Sequence, residues 1–443
     1  MEEGLAARLL TSIETDRLVI FCGAGLSMAP PSLVPSAREV ARACSTKYED
    51  ITAFTVSTDL REDIERLAEF FYAQGNLQSF FIRHLVPWTL FKTNPNPGHF
   101  AIADFLACGV FELGLTTNVD SLVEIAADTL GQSNFQASLD GNEATLTHQN
   151  HNPFLKLHGC YVRDQGNTLW CSSQLNVAPL MDKIASSKRW LQGYLLNRDL
   201  LVIGFWSDWA YLNHVLEDCV NTIEPNFIVL VDPDEAINLT RKAPNLWNWA
   251  ANGNVNFVHV RESGAEFLND LRRRFSRRYL ERLAEASKPT YMGMTGSHFA
   301  GPVRFSDAAT AEELYALRTD FSGKKGSDVP RTKRPDLSMH QLGASHLLLM
   351  ANGAVLEGSI YVIDGKRIRL VHGAGELLSS VKSRFSREPP PPVSVDIVIC
   401  VGADDDGGVP TNVVREQGAA NIIRGGISGE WVTLDQARQQ IGI

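Results

Sequence analysis

The chain has 443 residues, 44% of them hydrophobic and 21% charged, enough for two or three globular domains. A net charge of −10 argues against a broad basic footprint for nucleic acid, and no run of about 18 uninterrupted apolar residues predicts a membrane-spanning helix. The start, Met1-Glu-Glu-Gly4, lacks the basic-then-apolar pattern of a secretory signal. The seven cysteines (22, 44, 108, 160, 171, 219 and 400) are scattered without a C-x-x-C pair. That pattern fits a reducing cytoplasm with free thiols and gives no structural zinc spacing.

In chain order, residues 1–16 carry a helical pattern with Leu5, Leu9 and Leu10 on one face. The apolar run Leu18–Cys22 reads as a buried parallel strand, and it ends in Gly23-Ala24-Gly25-Leu26-Ser27. Glycines there permit a tight turn and let backbone N–H groups approach a phosphate, although a short Gly-Ala-Gly also serves as an ordinary strand-to-helix turn. Pro30 to Pro35 breaks the chain before a helix over 38–43 that Ser36 is placed to cap. Residues 61–86 have helical period, and a buried helix begins at His99. The segment 110–117 is then a second strand, ending in a polar turn.

This strand-then-polar-turn unit recurs at 152–159, 199–204, 226–232 and 255–260, with helices predicted over 190–197 and 209–219. Strands alternating with helices define an α/β fold, a doubly wound, mostly parallel Rossmann-like sheet with inserted helices. Ligands of such sheets sit beyond the carboxyl ends of the strands, where glycine, asparagine, aspartate, histidine and serine gather here. A helix over 267–285 closes a first domain, 1–285. The basic cluster Arg272 to Arg278 reads as its solvated face. An irregular linker is expected over 286–336, then a smaller β-rich domain, 337–443, with a hairpin turn at Asp364-Gly365 and a further strand over 395–401. The four prolines 389–392 read as a stiff spacer, and Asp404-Asp405-Asp406 as a solvated turn rather than a cation site. No internal repeat is evident.

Taken together, Gly23-Ala-Gly-x-Ser27, Thr116-Thr-Asn-Val-Asp120, Lys156-Leu-His-Gly159 and Val202-Ile-Gly-Phe205 resemble the sirtuin family in order and approximate spacing, over roughly residues 10–280. The resemblance implies NAD as substrate, with Gly23, Ala24, Gly25, Ser27 and Thr117 around its phosphates and ribose. Gly204 and Ser207 would sit near the phosphates or the adenosine ribose, and Asp232 would reach the adenosine ribose. It implies Asn118, Asp120 and His158 as the catalytic residues. Cleaving the nicotinamide–ribose bond develops oxocarbenium character, which placed polar groups stabilise by several kcal/mol. A histidine titrating near neutrality suits a ribose hydroxyl.

Two departures from the deacylases matter. The two C-x-x-C pairs of their zinc module are replaced by Cys160 and Cys171 alone, so no zinc is expected. Their Gly-Ile-Pro-x-Phe-Arg pattern is absent after the glycine turn. What remains resembles the bacterial sirtuin-like effectors of antiphage defence, which hydrolyse NAD to nicotinamide and ADP-ribose. That resemblance implies a cytoplasmic homo-oligomer gated by assembly or by a partner such as a HerA-type ATPase, with no membrane or direct nucleic-acid contact. The alternatives are a protein deacylase or ADP-ribosyltransferase of the same fold, and a non-catalytic NAD or ADP-ribose sensor.

Overall fold

A computed structural model describes residues 1–206, 226–252, 256–322, 333–385, 394–405 and 429–443. The chain divides into two compact units, Met1–Asp270 and Leu271–Ile443. The helix predicted over 209–219, the four prolines and Asp406 lie outside the described residues.

The first unit is built on six strands: Leu18–Cys22 (β1), Gly114–Thr116 (β2), Phe154–Lys156 (β3), Asp199–Ile203 (β4), Phe227–Val231 (β5) and Asn256–Val260 (β6). Their order is β3-β2-β1-β4-β5-β6, and every neighbouring pair is parallel. Every residue of β1, β4 and β5 is buried, as a sheet covered on both faces requires. The chain runs outward from β1 to β3, then restarts at β4 on the other side. The carboxyl ends of β1 and β4 therefore flank the point where the strand order reverses, and a doubly wound sheet opens a crevice there.

The turns after β1 and β4 touch backbone to backbone. The Gly23 amide donates to the Ile203 carbonyl (3.0 Å) and the Gly25 amide to the Gly204 carbonyl (2.8 Å). A Cβ on Gly25 would lie 2.7 Å from the Gly204 Cα, and Gly204 itself has a φ of +57°. These glycines are required by the approach of one turn to the other. Their two amides, assigned from sequence to phosphate approach, are already committed to the neighbouring strand.

A helical layer lies over 37–91. Ser36 and Glu39 cap the helix Ala37–Thr52 reciprocally. The period read over 61–86 resolves into Ile64–Ala73 and a wider helix, Leu77–Leu85, with i→i+5 hydrogen bonds such as Phe81 N–H to the Asn76 carbonyl (3.1 Å). Gly75, at φ +70°, ends the first of them. Phe71, Phe81 and Trp170 are buried together in this layer.

The second unit holds a mixed sheet of Val355–Glu357 (β7), Ile360–Ile363 (β8), Lys366–His372 (β9), Ile397–Val401 (β10) and Glu430–Thr433 (β11), in the order β11-β10-β9-β8-β7. β7, β8 and β9 pair antiparallel, and β9, β10 and β11 pair parallel. Asp364 (φ 49°) and Gly365 (φ 75°) make the hairpin turn read from sequence. Residues 286–336, read as an irregular linker, instead carry the helices Lys288–Thr295 and Ala311–Ser322. Thr310 and Glu313 bond each other across the start of the latter, and Leu314, Leu317 and Phe321 bury one face of it. The β9–β10 pair repeats the arrangement of β1–β4. The Gly373 amide donates to the Val401 carbonyl (2.7 Å) and the Gly375 amide to the Gly402 carbonyl (2.8 Å).

Gly25→Ala is expected to lower stability by about 2–3 kcal/mol, because the atoms that meet its Cβ are backbone and cannot turn aside. Gly4→Ala, in the helix Glu3–Glu14 with nothing within 4 Å of its Cβ, is the control and is expected to leave stability equal or higher. Urea unfolding of both variants checks this.

Candidate active site

Strand register brings the sequence motifs to one level. Cys22 pairs with Thr116 and with Ile203, and Thr116 pairs with Lys156. The loops after β1, β2, β3 and β4 thus leave the same edge of the sheet. Loops 117–121 and 157–161 are joined further by a hydrogen bond from the Tyr161 amide to the Val119 carbonyl (3.0 Å). Asn118 and His158 each stand two residues beyond a paired position, on neighbouring loops.

The centre of this edge is the Ser27 hydroxyl, which is wholly buried. Its Oγ lies 2.9 Å from Asp120 Oδ2, 3.0 Å from Asn118 Nδ2 and 3.1 Å from His99 Nε2. The carboxylate only accepts and the carboxamide nitrogen only donates, so Ser27 gives its single proton to Asp120 and accepts from Asn118. His99 Nδ1 accepts the Asn96 backbone N–H (3.1 Å), so the ring proton sits on Nε2 and is donated to Ser27. The hydroxyl's one donor and two acceptor positions are all filled.

Asn118 Nδ2 also donates to the Gly23 carbonyl (3.2 Å), which fixes which end of the carboxamide is nitrogen and leaves Oδ1 pointing away from the hub. Asp120 Oδ1 accepts the Leu122 amide (3.2 Å) at the start of the helix Leu122–Thr129. Beneath the loop, the buried Lys156 ammonium donates to the Asp120 backbone carbonyl, pairs with Glu124 Oε1 (2.6 Å) and reaches Cys160 Sγ (3.6 Å). Burial alone would lower the Lys156 pKa, but Glu124, Cys160 and Asp120 outweigh it and the net shift is upward.

The two histidines are uncharged in this setting. Burial pulls His99 down to about 4, against an opposing pull from Asp120, and burial pulls His158 down to about 3. The expectation of a His158 titrating near neutrality is therefore corrected: its imidazole is a neutral hydrogen-bonding group at working pH and a weak base. Burial also pushes the Cys22 thiol up to about 12, so the thiol at the end of β1 is inert.

The remaining sequence candidates spread along the same edge. Ala24 and Gly25 are exposed, and Thr117 is half-buried with its amide on the Cys22 carbonyl (3.3 Å). The Gly204 amide donates to the Val231 carbonyl (3.2 Å), tying β4 to β5. At the end of β5, half-buried Asp232 accepts the Asp234 amide through Oδ1 (2.9 Å). Ser207 lies outside the described residues. In the segment 160–171, Cys160, Leu169, Trp170 and Cys171 are buried, with Trp170 against Trp88 and Phe81. Among the described residues no three His, Cys, Asp or Glu side chains are grouped to hold a metal ion. An apolar cavity among Val19, Phe21, Leu115, Val202, Phe205 and Trp206 lies on a face of the sheet.

Sequence reasoning missed His99, Asn96 and the Lys156–Glu124 pair. Asn96-Pro97-Gly98-His99 is legible as a helix start, since Asn96 Oδ1 caps the Gly98 and His99 amides and Pro97 takes the first turn. Nothing local shows that this cap faces Ser27.

Residues 112–254 match a family model described as a SIR2-like domain. The match includes Asn118, Asp120, His158, Gly204 and Asp232, while the Gly23–Ser27 turn precedes it. No curated protein matches the chain. Solved structures similar to it include a Sir2 homologue in complex with NAD, 18% identical, covering 61% of this chain and 92% of its own, with a TM-score of 0.36. A Sir2 homologue variant in complex with ADP-ribose is 17% identical over 61% of this chain and 95% of its own, with a TM-score of 0.32.

The buried histidines set a pH dependence of stability. Below 6.5 the unfolded chain binds protons at His99 and His158 that the folded chain refuses until about 4 and about 3. Stability is full above 6.5 and falls as pH drops, by about 1.4 kcal/mol per pH unit for each imidazole. Urea midpoints at pH 7.5, 6.5 and 5.5 are expected to hold and then decline, with a shallower decline in His158→Gln.

Proposed function

We propose that the first unit consumes NAD, breaking the bond between nicotinamide and ribose with water as the acceptor. The products are nicotinamide and ADP-ribose. The observation that carries this reading is the Asn118 carboxamide. Its nitrogen is held by the Gly23 carbonyl and Ser27 Oγ, which leaves its oxygen as the remaining acceptor of a half-buried side chain, on the loop beside that of His158. The family match over 112–254 supports the same assignment.

In this reading the glycosidic electron pair leaves with the nicotinamide nitrogen, discharging its pyridinium. A water oxygen bonds to the ribose carbon, and one proton passes to solvent. The Asn118 oxygen accepts a hydrogen bond from that water and directs its lone pair at the sugar. Neutral His158 accepts a hydrogen bond from a ribose hydroxyl and fixes the ring. Neither residue adds positive charge beside the developing oxocarbenium ion, which a protonated histidine would oppose. Gly204 and Asp232, further along the edge, face the adenosine half, with Asp232 suited to its ribose hydroxyls.

The biological setting we propose is antiphage defence by NAD depletion. An unrestrained NAD hydrolase would harm its own cell, so the activity is gated by oligomerisation or by a partner such as a HerA-type ATPase, with the second unit as sensing or assembly module. This setting rests on resemblance and on the cost of unregulated hydrolysis.

The test is nicotinamide release from NAD by the full chain, alone and with its candidate activators. Asn118→Ala and His158→Ala are each expected to lower the rate about 100-fold or more. Release that depends strictly on an acylated peptide would replace hydrolysis with acyl transfer. Tight NAD binding with no release under any condition would make the chain a sensor.

A further inference from the structure

We propose that Gln174 is a positioning residue for the site: its buried carboxamide folds residues 168–171 into the wall that holds the His158 loop. The inference rests on the NAD-cleaving reading and extends it to a side chain outside the sequence motifs.

Gln174 is 4% exposed and lies in the short helix Ser172–Asn176. Its Oε1 accepts the Trp170 amide (2.7 Å) and the Cys171 amide (3.1 Å), and its Nε2 donates to the Thr168 carbonyl (3.1 Å). Two backbone donors fix that end of the carboxamide as oxygen. One side chain thus pairs three buried backbone groups in a segment that has neither strand nor helix. The turn is locked further from within. Trp170 Nε1 donates to Thr168 Oγ1 (2.7 Å), and Thr168 Oγ1 donates to the Gln165 carbonyl (2.8 Å).

The folded turn bears on His158. The Leu169 amide, between the groups that Gln174 pairs, donates to the His158 carbonyl (3.0 Å). Gly159, at φ +83°, lies against Thr168, whose Cα would be 3.4 Å from a Cβ there. Further along, the same loop is tied by the Tyr161 amide to the Val119 carbonyl (3.0 Å). His158 therefore has two tethers, one to the Asn118 loop and one to the turn that Gln174 folds. Glu65 and Glu69, on the helix Ile64–Ala73, accept the Ser172 hydroxyl (2.6 Å) and the Ser173 amide (2.8 Å) and so seat Gln174. The two thiols of the segment are engaged elsewhere. Cys160 Sγ accepts from the Lys156 ammonium (3.6 Å), whose charge opposes a metal cation there, and Cys171 Sγ donates to Gln174 Oε1 (3.7 Å). They do not fit a metal pair, and the carboxamide supplies the order in place of one.

Gln174→Met keeps the volume and removes all three bonds. It is expected to lose about 10- to 100-fold in kcat for nicotinamide release, with KM for NAD within about threefold, since in that reading His158 touches only the ribose being cleaved. Ile13→Ala, which opens a cavity under the first helix of the same unit, is the control. It is expected to unfold at lower urea and to keep kcat within about threefold. Gln174→Glu keeps the shape and makes the effect reversible. Protonated, the buried carboxyl donates to the Thr168 carbonyl as Nε2 does; ionised, it sets an oxygen against that carbonyl. Burial raises the pKa of such a carboxyl, so kcat of this variant is expected within about threefold of the wild type at pH 6 and about tenfold below it at pH 8.5.

A purely structural role for Gln174 predicts that kcat follows the urea midpoint through Gln174→Met and Ile13→Ala alike, and that result overturns the proposal. So does a Gln174→Glu profile level with the wild type at both pH values, or stoichiometric zinc in the purified chain whose removal abolishes release. Should Gln174→Met fail to fold, the two measurements on Gln174→Glu decide. If the wild type releases no nicotinamide, the hydrolase reading fails by itself, and NMR of the ¹⁵N-histidine-labelled chain decides the proposal instead. His158 ring signals that move in Gln174→Met and stay in Ile13→Ala keep it, and signals unmoved in both end it.

Discussion

A serine hydroxyl donates one hydrogen bond and accepts two, and Ser27 uses all three inside a dry site. The partners come from two segments distant in sequence: Asp120 and Asn118 on the loop after β2, and His99 at the start of a helix. Burying so many polar groups is tolerable only when each finds its complement, because an unpaired one costs about 1–3 kcal/mol. The arrangement admits one direction of donation. Asn96 forces the proton of His99 to Nε2, His99 and Asn118 both point donors at Ser27, and Ser27 passes its proton to Asp120. That chain ends at the half-buried Asn118 carboxamide, whose oxygen remains an acceptor.

The hub depends on two supports in the backbone. Above it, the close contact between the turns of β1 and β4 holds Ser27 at the reversal of strand order, with no room for a Cβ at Gly25 or Gly204. Below it, Lys156 ties the Asp120 carbonyl to Glu124 and so joins the loops after β2 and β3. A buried ammonium is costly unless compensated, and Glu124 with the backbone carbonyl supplies the compensation. The second unit solves the same problem differently, with Arg369 in a two-pronged bond to Asp320 (2.8 and 2.7 Å) and His346 bonded to the Tyr361 hydroxyl (2.7 Å). It also repeats the glycine-turn contact between two parallel strands.

Much of the fold was legible because it is written in local pattern. Apolar runs such as Phe227–Val231 read as buried strands, and polar residues after them marked the carboxyl edge. Asp364-Gly365 read as a tight hairpin turn, because both residues tolerate positive φ. The motif residues Asn118, Asp120 and His158 were found through family resemblance, and strand register brings their loops side by side. What was illegible depends on distance in sequence. Ser27 and His99 meet only in three dimensions, and the commitment of the Gly25 amide to Gly204 requires knowing that β4 neighbours β1. The basicity of His158 is a property of its burial, which no motif carries. The helix Ala311–Ser322 was hidden by the polar, proline-containing chain after it.

We propose that the nicotinamide ribose of NAD sits at the edge between the β1 and β4 turns, next to the Asn118 carboxamide and beside His158. A crystal structure of the Asn118→Ala chain with NAD tests it most directly. Intact NAD is expected there, its pyrophosphate over the Gly23–Ser27 turn, its anomeric carbon next to position 118 and a ribose hydroxyl on the His158 ring. Dinucleotide bound in the apolar cavity on the face of the sheet, or lying with its adenine against His158, would contradict it.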